Sequence, residues 1–215
     1  MAEGSPRLPA GRHGLPREFI ERNQRERIMT ALVDCVAERG YNGTTVANIT
    51  KAASVSRRTF YEHFADKEAC FLATYEMVAE HIVEAMRTAS SSFEEWPQQV
   101  RAALATMLRF LAGEPELARL CMIEPVAAGG EVAARHRATM QRFVEVLKAG
   151  RPDREGDHVL PEVTEETLVG GVVSLIVREI SAGRTEQLEQ LLPDLVELVL
   201  APYLGVEEAA RLRDA

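Results

Sequence analysis

The stretch SVSRRTFYEHF, residues 54–64, places two adjacent arginines just before three aromatic side chains. Arginine presents a planar fork of N–H donors that can donate two hydrogen bonds to O6 and N7 of guanine, and threonine can bond a base or pack on a thymine methyl group. Arg57, Arg58 and Thr59 are therefore candidates for reading base edges. The alternative is that the arginines form an ordinary solvated helix face.

The same region carries further donors that suit phosphate oxygens. Tyr61, His63 and Lys67 would reach a phosphate from different distances. A helix start at Ser56 would add backbone N–H groups, which helix N-termini direct at anions. Phosphate contacts set the register of a protein on DNA, whereas base contacts set its sequence preference. Glu62 would oppose phosphate binding if it faced the same partner.

Helical periodicity predicts the elements that must position these residues. Apolar side chains at helical spacing predict a long helix over 19–39, and Gly40 follows it. Thr45, Ser56 and Asp66 are suited to cap the helices that follow, namely a short one over 46–53, a second short one through Phe64 and a long one from Lys67. Two short helices joined by a tight turn after a longer one form a helix–turn–helix.

The sequence TTVANITKAASVSRRTFYEHFADKEACFLATYE, residues 44–76, resembles the N-terminal domain of the TetR family of bacterial transcriptional regulators. The resemblance covers roughly residues 22–77 and implies an operator-binding homodimer. It implies base-reading roles for Arg57, Arg58 and Thr59, and phosphate contacts for Thr44, Thr45, Tyr61, His63 and Lys67. Family members usually carry glycine in the turn between the two short helices, where this chain has Ser54.

Charge is distributed unevenly along the chain. Residues 1–64 hold ten Lys and Arg against seven Asp and Glu, whereas the remainder holds 15 against 26, within a total of −8. A basic module on an acidic body favours one anionic partner for the first part. We expect an all-α fold with a flexible basic arm over 1–17, the helix–turn–helix domain over 18–66 and a helical ligand-binding and dimerisation domain over 67–215. The arm is either a disordered terminus or a basic strand lying along DNA.

The segment around 168–177, LVGGVVSLIV, predicts a dimer interface. A helix that is apolar nearly all the way round must be covered on more than one side, and Gly170, Gly171 and Ser174 would let two backbones approach closely. Relatives dimerise through their last two helices, which the resemblance places here. The expected interface residues are Gly170, Gly171, Ser174, Leu175, Leu195 and Val199. The alternative is an internal core with no role in dimerisation.

The resemblance also implies a small-molecule pocket in the helical body. Methionine and aromatic side chains suit an adaptable apolar pocket. The candidate lining residues are Met107, Phe110, Leu111, Met122, His136, Met140 and Phe143. Such residues at helical spacing are also typical of plain core, and His136 could be a hydrogen-bonded core histidine.

The expected function is a repressor released from a palindromic operator by a small apolar ligand. The alternative is an activator or architectural DNA binder without an effector. An enzyme is disfavoured because GxSxG, HExxH, P-loop and GxGxxG motifs are missing from the sequence. We expect no cofactor, no metal and no membrane association. Three scattered cysteines and the lack of a signal-peptide pattern favour a cytoplasmic protein with buried thiols, although a redox sensor stays open.

Overall fold

A computed structural model describes residues 16–150 and 160–213, and in those residues the chain is helical without a strand. The predicted arm lies outside this range except for Pro16 and Arg17. The helices are α1 (Arg17–Gly43), α2 (Val46–Ala53), α3 (Arg57–His63), α4 (Lys67–Ser90), α5 (Trp96–Gly113), α6 (Pro115–Met122), α7 (Glu124–Ala128), α8 (Gly130–Gly150), α9 (Thr164–Ser181), the 3-10 helix Thr185–Leu191, α10 (Leu192–Leu204) and α11 (Val206–Leu212).

Side-chain caps define the helix–turn–helix, as the sequence predicts. The Thr45 hydroxyl accepts the Asn48 backbone N–H at 3.2 Å, and the Asn48 side chain accepts the Thr45 N–H at 3.0 Å, which completes a capping box. Ser56 caps α3 and Asp66 caps α4 in the same way, through N–H groups three residues further on. These caps satisfy N–H groups that no helical carbonyl can reach.

Aromatic side chains hold α3 against the rest of the N-terminal domain. Phe60 and Phe64 are 0% and 4% exposed, and their ring centroids lie 5.8 Å apart. Leu32 of α1 and Ile49 of α2 are fully buried in the same core. Burying each phenylalanine contributes about 1.5–3 kcal/mol, which holds α3 in place. Because both rings face the core, the opposite side of α3 faces solvent.

The turn between α2 and α3 is closed by Ser54 in a left-handed conformation, with φ 51° and ψ 48°. A side chain in this region crowds the following carbonyl, which is why glycine is preferred there. Arg27 Nη2 donates to the carbonyls of this turn, to that of Ala53 and to that of Ser54 at 3.5 Å. The glycine that family members usually carry at this position could adopt such a φ without this crowding.

Replacement of Ser54 by glycine is expected to raise the free energy of unfolding by on the order of 1 kcal/mol, because it removes the strained Cβ. Chemical denaturation of the full-length protein measures the change. Ser91→Gly is the matched control, since Ser91 is also exposed but has φ −65°, and we expect no gain there. Equal stability of wild type and Ser54→Gly would mean that the turn carries no strain.

The helical body follows from residue 67 onward. Near its C-terminal end, the chain forms the 3-10 helix Thr185–Leu191 and then α10, with Pro193 in the first turn of α10. Proline suits that position because its missing N–H would have no helical partner. Gly205, with φ 87°, then allows a further helix, α11, which the periodicity did not predict.

The three cysteines are buried and reduced. Burial raises the pKa of both Cys70 and Cys121 to about 12, so neither thiol forms the reactive thiolate at neutral pH. Nowhere in 16–150 or 160–213 do three His, Cys, Asp or Glu side chains come together as a metal site. No helix in those ranges combines the length and the hydropathy needed to span a bilayer.

Candidate nucleic-acid interface and ligand cavity

The exposed surface of α3 carries the arginine pair. Arg57 is exposed in the first turn, and Arg58 donates from Nε to Glu62 Oε1 at 3.0 Å. Both partners of this pair are solvent-exposed, so the bond contributes little to stability. Tyr61 is 57% exposed and stands edge-on to Phe60, with ring centroids 5.5 Å apart. This surface therefore offers two guanidinium groups and a phenol to a partner.

Ser56 and Thr59 contribute mainly to the start of α3. The Ser56 hydroxyl oxygen accepts the Thr59 N–H at 2.9 Å, and the two hydroxyl groups are also 2.9 Å apart. Thr59 is half-buried, whereas Ser56 is exposed. The end of α3 that would approach a groove is thus rigid, and its cap leaves little freedom to the Thr59 side chain.

The structure corrects the side-chain role predicted for Thr44. This residue is 2% exposed, and its hydroxyl donates to the carbonyls of Cys35 at 3.0 Å and Gly40 at 2.9 Å. A buried hydroxyl with these partners closes the link between α1 and α2 and does not reach a phosphate. Thr45 is exposed beside it, at the start of α2.

His63 is held against α1. Its Nε2 lies 3.2 Å from Gln24 Oε1, and burial together with the nearby Arg25 guanidinium lowers the pKa of the imidazole below its usual value. In the free protein these surroundings favour the neutral form of the ring. Arg25 itself covers the Phe64 ring at 4.4 Å from its centroid.

Lys67 is directed inward, which the sequence did not indicate. Its Nζ donates to the carbonyls of Tyr41 at 2.7 Å and Thr44 at 3.0 Å, and it lies 3.9 Å from the centroid of the Tyr41 ring. Burial lowers the pKa of this ammonium group. Lys67 therefore joins the start of α4 to the α1–α2 link, and its ammonium group is largely occupied by these contacts.

A cavity of about 240 Å³ lies inside the body, between α4, α5, α8, α9 and α10. It brings together four of the seven predicted lining residues: Met107, Met122, Met140 and Phe143. The residues that sequence reasoning missed include Met86, Trp96, Ala103, Val169, Val173 and Val199. The all-round apolar character of α9 was the available signal for Val169 and Val173, but it was assigned to a dimer partner.

Three predicted lining residues lie elsewhere. Leu111 is fully buried in the core, and Phe110 packs against the His81 ring at 5.6 Å between centroids. His136 is buried, and its Nδ1 lies 3.1 Å from the Tyr75 hydroxyl. Burial lowers the pKa of His136, with a smaller effect from Arg137, so the neutral ring can accept the Tyr75 O–H. His136 is a hydrogen-bonded core histidine, the alternative that the sequence left open.

Two polar side chains of the cavity lining, Ser90 and Gln99, have hydrogen-bond partners. The Ser90 hydroxyl donates to the Gln99 carbonyl at 3.1 Å. Gln99 Nε2 donates to the carbonyls of Phe93 at 3.0 Å and Glu94 at 3.4 Å. Since both groups are bound to backbone carbonyls and most of the other lining side chains are apolar, the wall is suited to hydrocarbon.

Trp96 is the single tryptophan of the sequence and lies in the cavity wall. Its ring meets the edge of Tyr203, with centroids 5.0 Å apart. On the other side it lies against Gly150, where an added Cβ would come within 2.6 Å of the indole Nε1. We therefore expect its fluorescence to change when the cavity is occupied.

The predicted interface residues divide between surface and interior. Gly170 and Ser174 are exposed on α9, and Gly171 and Leu175 are half-buried. Leu195 and Val199 are 0% and 4% exposed within the chain, so their side chains are not available to a partner, which corrects those two expectations. Their places on the surface are taken by Leu198 at 40% and Val206 at 69% exposure. We refer to Gly170, Ser174, Leu198 and Ala201 as the α9–α10 face; Val206 begins α11.

A family model for bacterial regulatory proteins of the tetR family matches residues 28–74. The HTH-type transcriptional repressor AcnR of Corynebacterium efficiens is 29% identical over 188 residues, covering 81% of this chain and 91% of that protein. The transcriptional regulator YxbF of Bacillus subtilis is 33% identical over 92 residues, covering 42% of this chain and about a quarter (24%) of YxbF. The structure of the regulator FadR from Bacillus subtilis in complex with stearoyl-CoA superposes with a TM-score of 0.71 at 20% identity, covering 83% of this chain and 97% of that one.

Proposed function

We propose that this chain is a DNA-binding transcription regulator of the TetR family, and that it is a repressor released from its operator by a long-chain acyl ligand. The proposal has three parts: a protein surface that reads DNA, a second copy of the chain that pairs with it, and a ligand that occupies the cavity. Its similarity to AcnR, a transcriptional repressor, supports the sign of regulation.

The observation that carries the ligand proposal is the apolar cavity beneath Trp96. Methionines and valines line it, and its volume is about 240 Å³. Ligand pockets are generally about 300–1,000 Å³, so in this conformation the cavity would hold part of a long flexible chain, and the helices around it would have to separate to hold more. FadR was crystallised with stearoyl-CoA, which supports an acyl chain as the occupant, with its polar head group outside the hydrocarbon wall.

The DNA part of the proposal assigns bases and phosphates to different residues. Arg57 and Arg58 project from an α3 whose other face is buried through Phe60, which suits direct readout in a major groove. Tyr61, Thr45 and Ser56 lie exposed nearby and would contact phosphates, as would His63. Two such domains related by a two-fold axis would read a palindromic operator.

We expect stearoyl-CoA to change Trp96 fluorescence and to weaken operator binding by a factor of roughly 5–150, the usual range for coupled sites. The operator would be the duplex that the full-length protein enriches from random-sequence DNA, and fluorescence anisotropy would measure its Kd. Ala103→Phe should abolish the fluorescence response, because the ring fills the space that the acyl chain needs.

Two controls test whether the response depends on the cavity and on the acyl chain. Ala134→Phe places the same ring on the exposed side of α8 and should leave the response intact. Free coenzyme A, which has no acyl chain, should have no effect on either signal. An operator affinity that is insensitive to every acyl chain length would favour the alternative, a DNA binder without this effector.

A further inference from the structure

Glu124 is a carboxylate with 2% of its surface exposed, at the junction of α6 and α7. Carboxylates are seldom buried so completely unless partners compensate for the lost hydration. Its Oε2 accepts the backbone N–H of Tyr41 at 2.8 Å, and Arg119 Nε lies 3.0 Å from its Oε1. The Arg119 contact is an ion pair by distance, without the alignment of a hydrogen bond. Glu124 therefore connects the helical body to the end of α1.

The Tyr41 N–H is available because α1 is kinked one residue earlier. Gly40 has φ 70° and ψ 166°, far from helical values, and an added Cβ there would lie 3.6 Å from Glu124 Oε2. A second contact reinforces the junction, since Asn42 Nδ2 donates to the Ala127 carbonyl at 3.3 Å. The end of α1 is thus bonded to α7 at two points.

The other side of Tyr41 leads into the helix–turn–helix. Its carbonyl accepts Lys67 Nζ at 2.7 Å and the Thr44 N–H at 3.2 Å. Lys67 begins α4, and Thr44 immediately precedes the Thr45 cap of α2. A displacement of Tyr41 would therefore shift the starts of two helices that position α3.

On the body side, Glu124 is two residues from the cavity wall. Met122 lines the cavity and ends α6, and Ile123 alone separates it from Glu124. The segment from Met122 to Glu124 is too short for its backbone to rearrange independently at one end, as a long loop could. Pressure on Met122 from inside the cavity is therefore expected to reach the Glu124 carboxylate.

We propose that Glu124 is the positioning residue through which occupancy of the cavity alters the helix–turn–helix. Filling the cavity displaces Met122 and Glu124, the Tyr41 N–H loses its acceptor, and the starts of α2 and α4 move. The inference rests on the proposed function in one respect, namely that cavity occupancy acts on operator affinity. It adds the residue and the backbone bond that carry the effect.

The test is a double-mutant cycle on operator affinity that needs no ligand. Ala103→Phe serves as a permanent occupant and is expected to weaken operator binding by about 10-fold in the chain with Glu124. In the Glu124→Ala chain, the same substitution should change the Kd by less than about 2-fold, because independent effects add and a shared route does not. Equal weakening in both chains overturns the proposal.

Glu131→Ala is the matched control, since Glu131 is an exposed carboxylate in the first turn of α8. In that background, Ala103→Phe should keep its full effect. If the Glu124→Ala protein does not fold, the proposal is tested by amide hydrogen exchange in the chain that retains Glu124. Ala103→Phe is expected to accelerate exchange of the Tyr41 amide by about 10-fold or more, and unchanged protection overturns the proposal.

The two proposals fail in different ways. No operator response to Ala103→Phe would overturn the coupling through Glu124, even if stearoyl-CoA changes Trp96 fluorescence. A full response to Ala103→Phe that depends on Glu124 would support the coupling even if stearoyl-CoA does not bind. In that case, only the chemical class of the ligand would be wrong.

Discussion

Arginine in place of Ser174 is expected to lower operator affinity by roughly 100-fold or more, because it would separate the two copies of the proposed dimer. Linking two binding modules raises affinity by about 10²–10⁴-fold without any new contact. Ser174 is exposed beside Gly170 on α9, so within one chain the new side chain has room to extend into solvent. In a dimer that packs through the α9–α10 face, two arginines would meet near the two-fold axis, where their charges repel. Sedimentation velocity and operator anisotropy measure the two consequences.

Ala134→Arg provides the comparison, since Ala134 is also exposed and also helical but lies on α8. It should leave both mass and operator affinity unchanged. A Ser174→Arg protein that sediments as the wild type and binds its operator equally well would place the dimer interface elsewhere. A protein that unfolds instead would favour the alternative in which this segment is internal core.

The helix–turn–helix was predictable because its signals are local. Thr45, Ser56 and Asp66 each cap a helix that begins at the next residue, and a cap depends only on the three or four residues that follow it. The positive φ of Ser54 agrees with the glycine that family members usually carry at this position. By contrast, nothing in the sequence indicated that Arg27 of α1 would bind the carbonyls of that turn, because this contact spans 26 residues.

Burial explains why the roles of Thr44 and Lys67 could not be derived from residue type. Both have donors that suit phosphate, and the family resemblance implied that use. In the structure those donors bind the carbonyls of Cys35, Gly40 and Tyr41, because the end of α1 and the start of α4 meet there. A backbone kink leaves carbonyls without helical partners, and the nearest donors satisfy them.

The sequence predicted the types of residue that line the cavity but not which inward-facing positions line it. Met107 and Leu111 lie one turn apart on α5, yet Met107 lines the cavity and Leu111 is sealed in the core. Helical periodicity identifies an inward face, whereas the void depends on how neighbouring helices diverge along that face. Glu124 shows the same limit, since its partner Tyr41 is 83 residues away in the chain.

Alanine in place of Arg57 or Arg58 is expected to reduce operator affinity by about 1–3 kcal/mol, or roughly 10- to 150-fold, because each substitution would remove a bidentate hydrogen bond to a base. Random-sequence DNA should be affected much less, since its binding depends on phosphates and counterion release. Arg58 bonds Glu62 in the free protein and must leave it to reach a base. The effect of Arg58→Ala is therefore expected to be the smaller of the two.

The ratio of operator to random-DNA affinity decides between base and phosphate contacts. Arg137→Ala, on the exposed side of α8, controls for the removal of one positive charge and should leave this ratio unchanged. An equal loss of affinity for both duplexes would indicate that the arginines contact phosphates. The slope of log affinity against log salt concentration would then become shallower by about one unit for each phosphate that the protein no longer neutralises. Full affinity for both duplexes would show that the exposed side of α3 does not enter the groove. A loss of affinity for the operator alone would support base contacts. Phe60 and Phe64 would then be the buried side chains that hold the two guanidinium groups at base edges, on a helix whose start is fixed by its N-terminal cap.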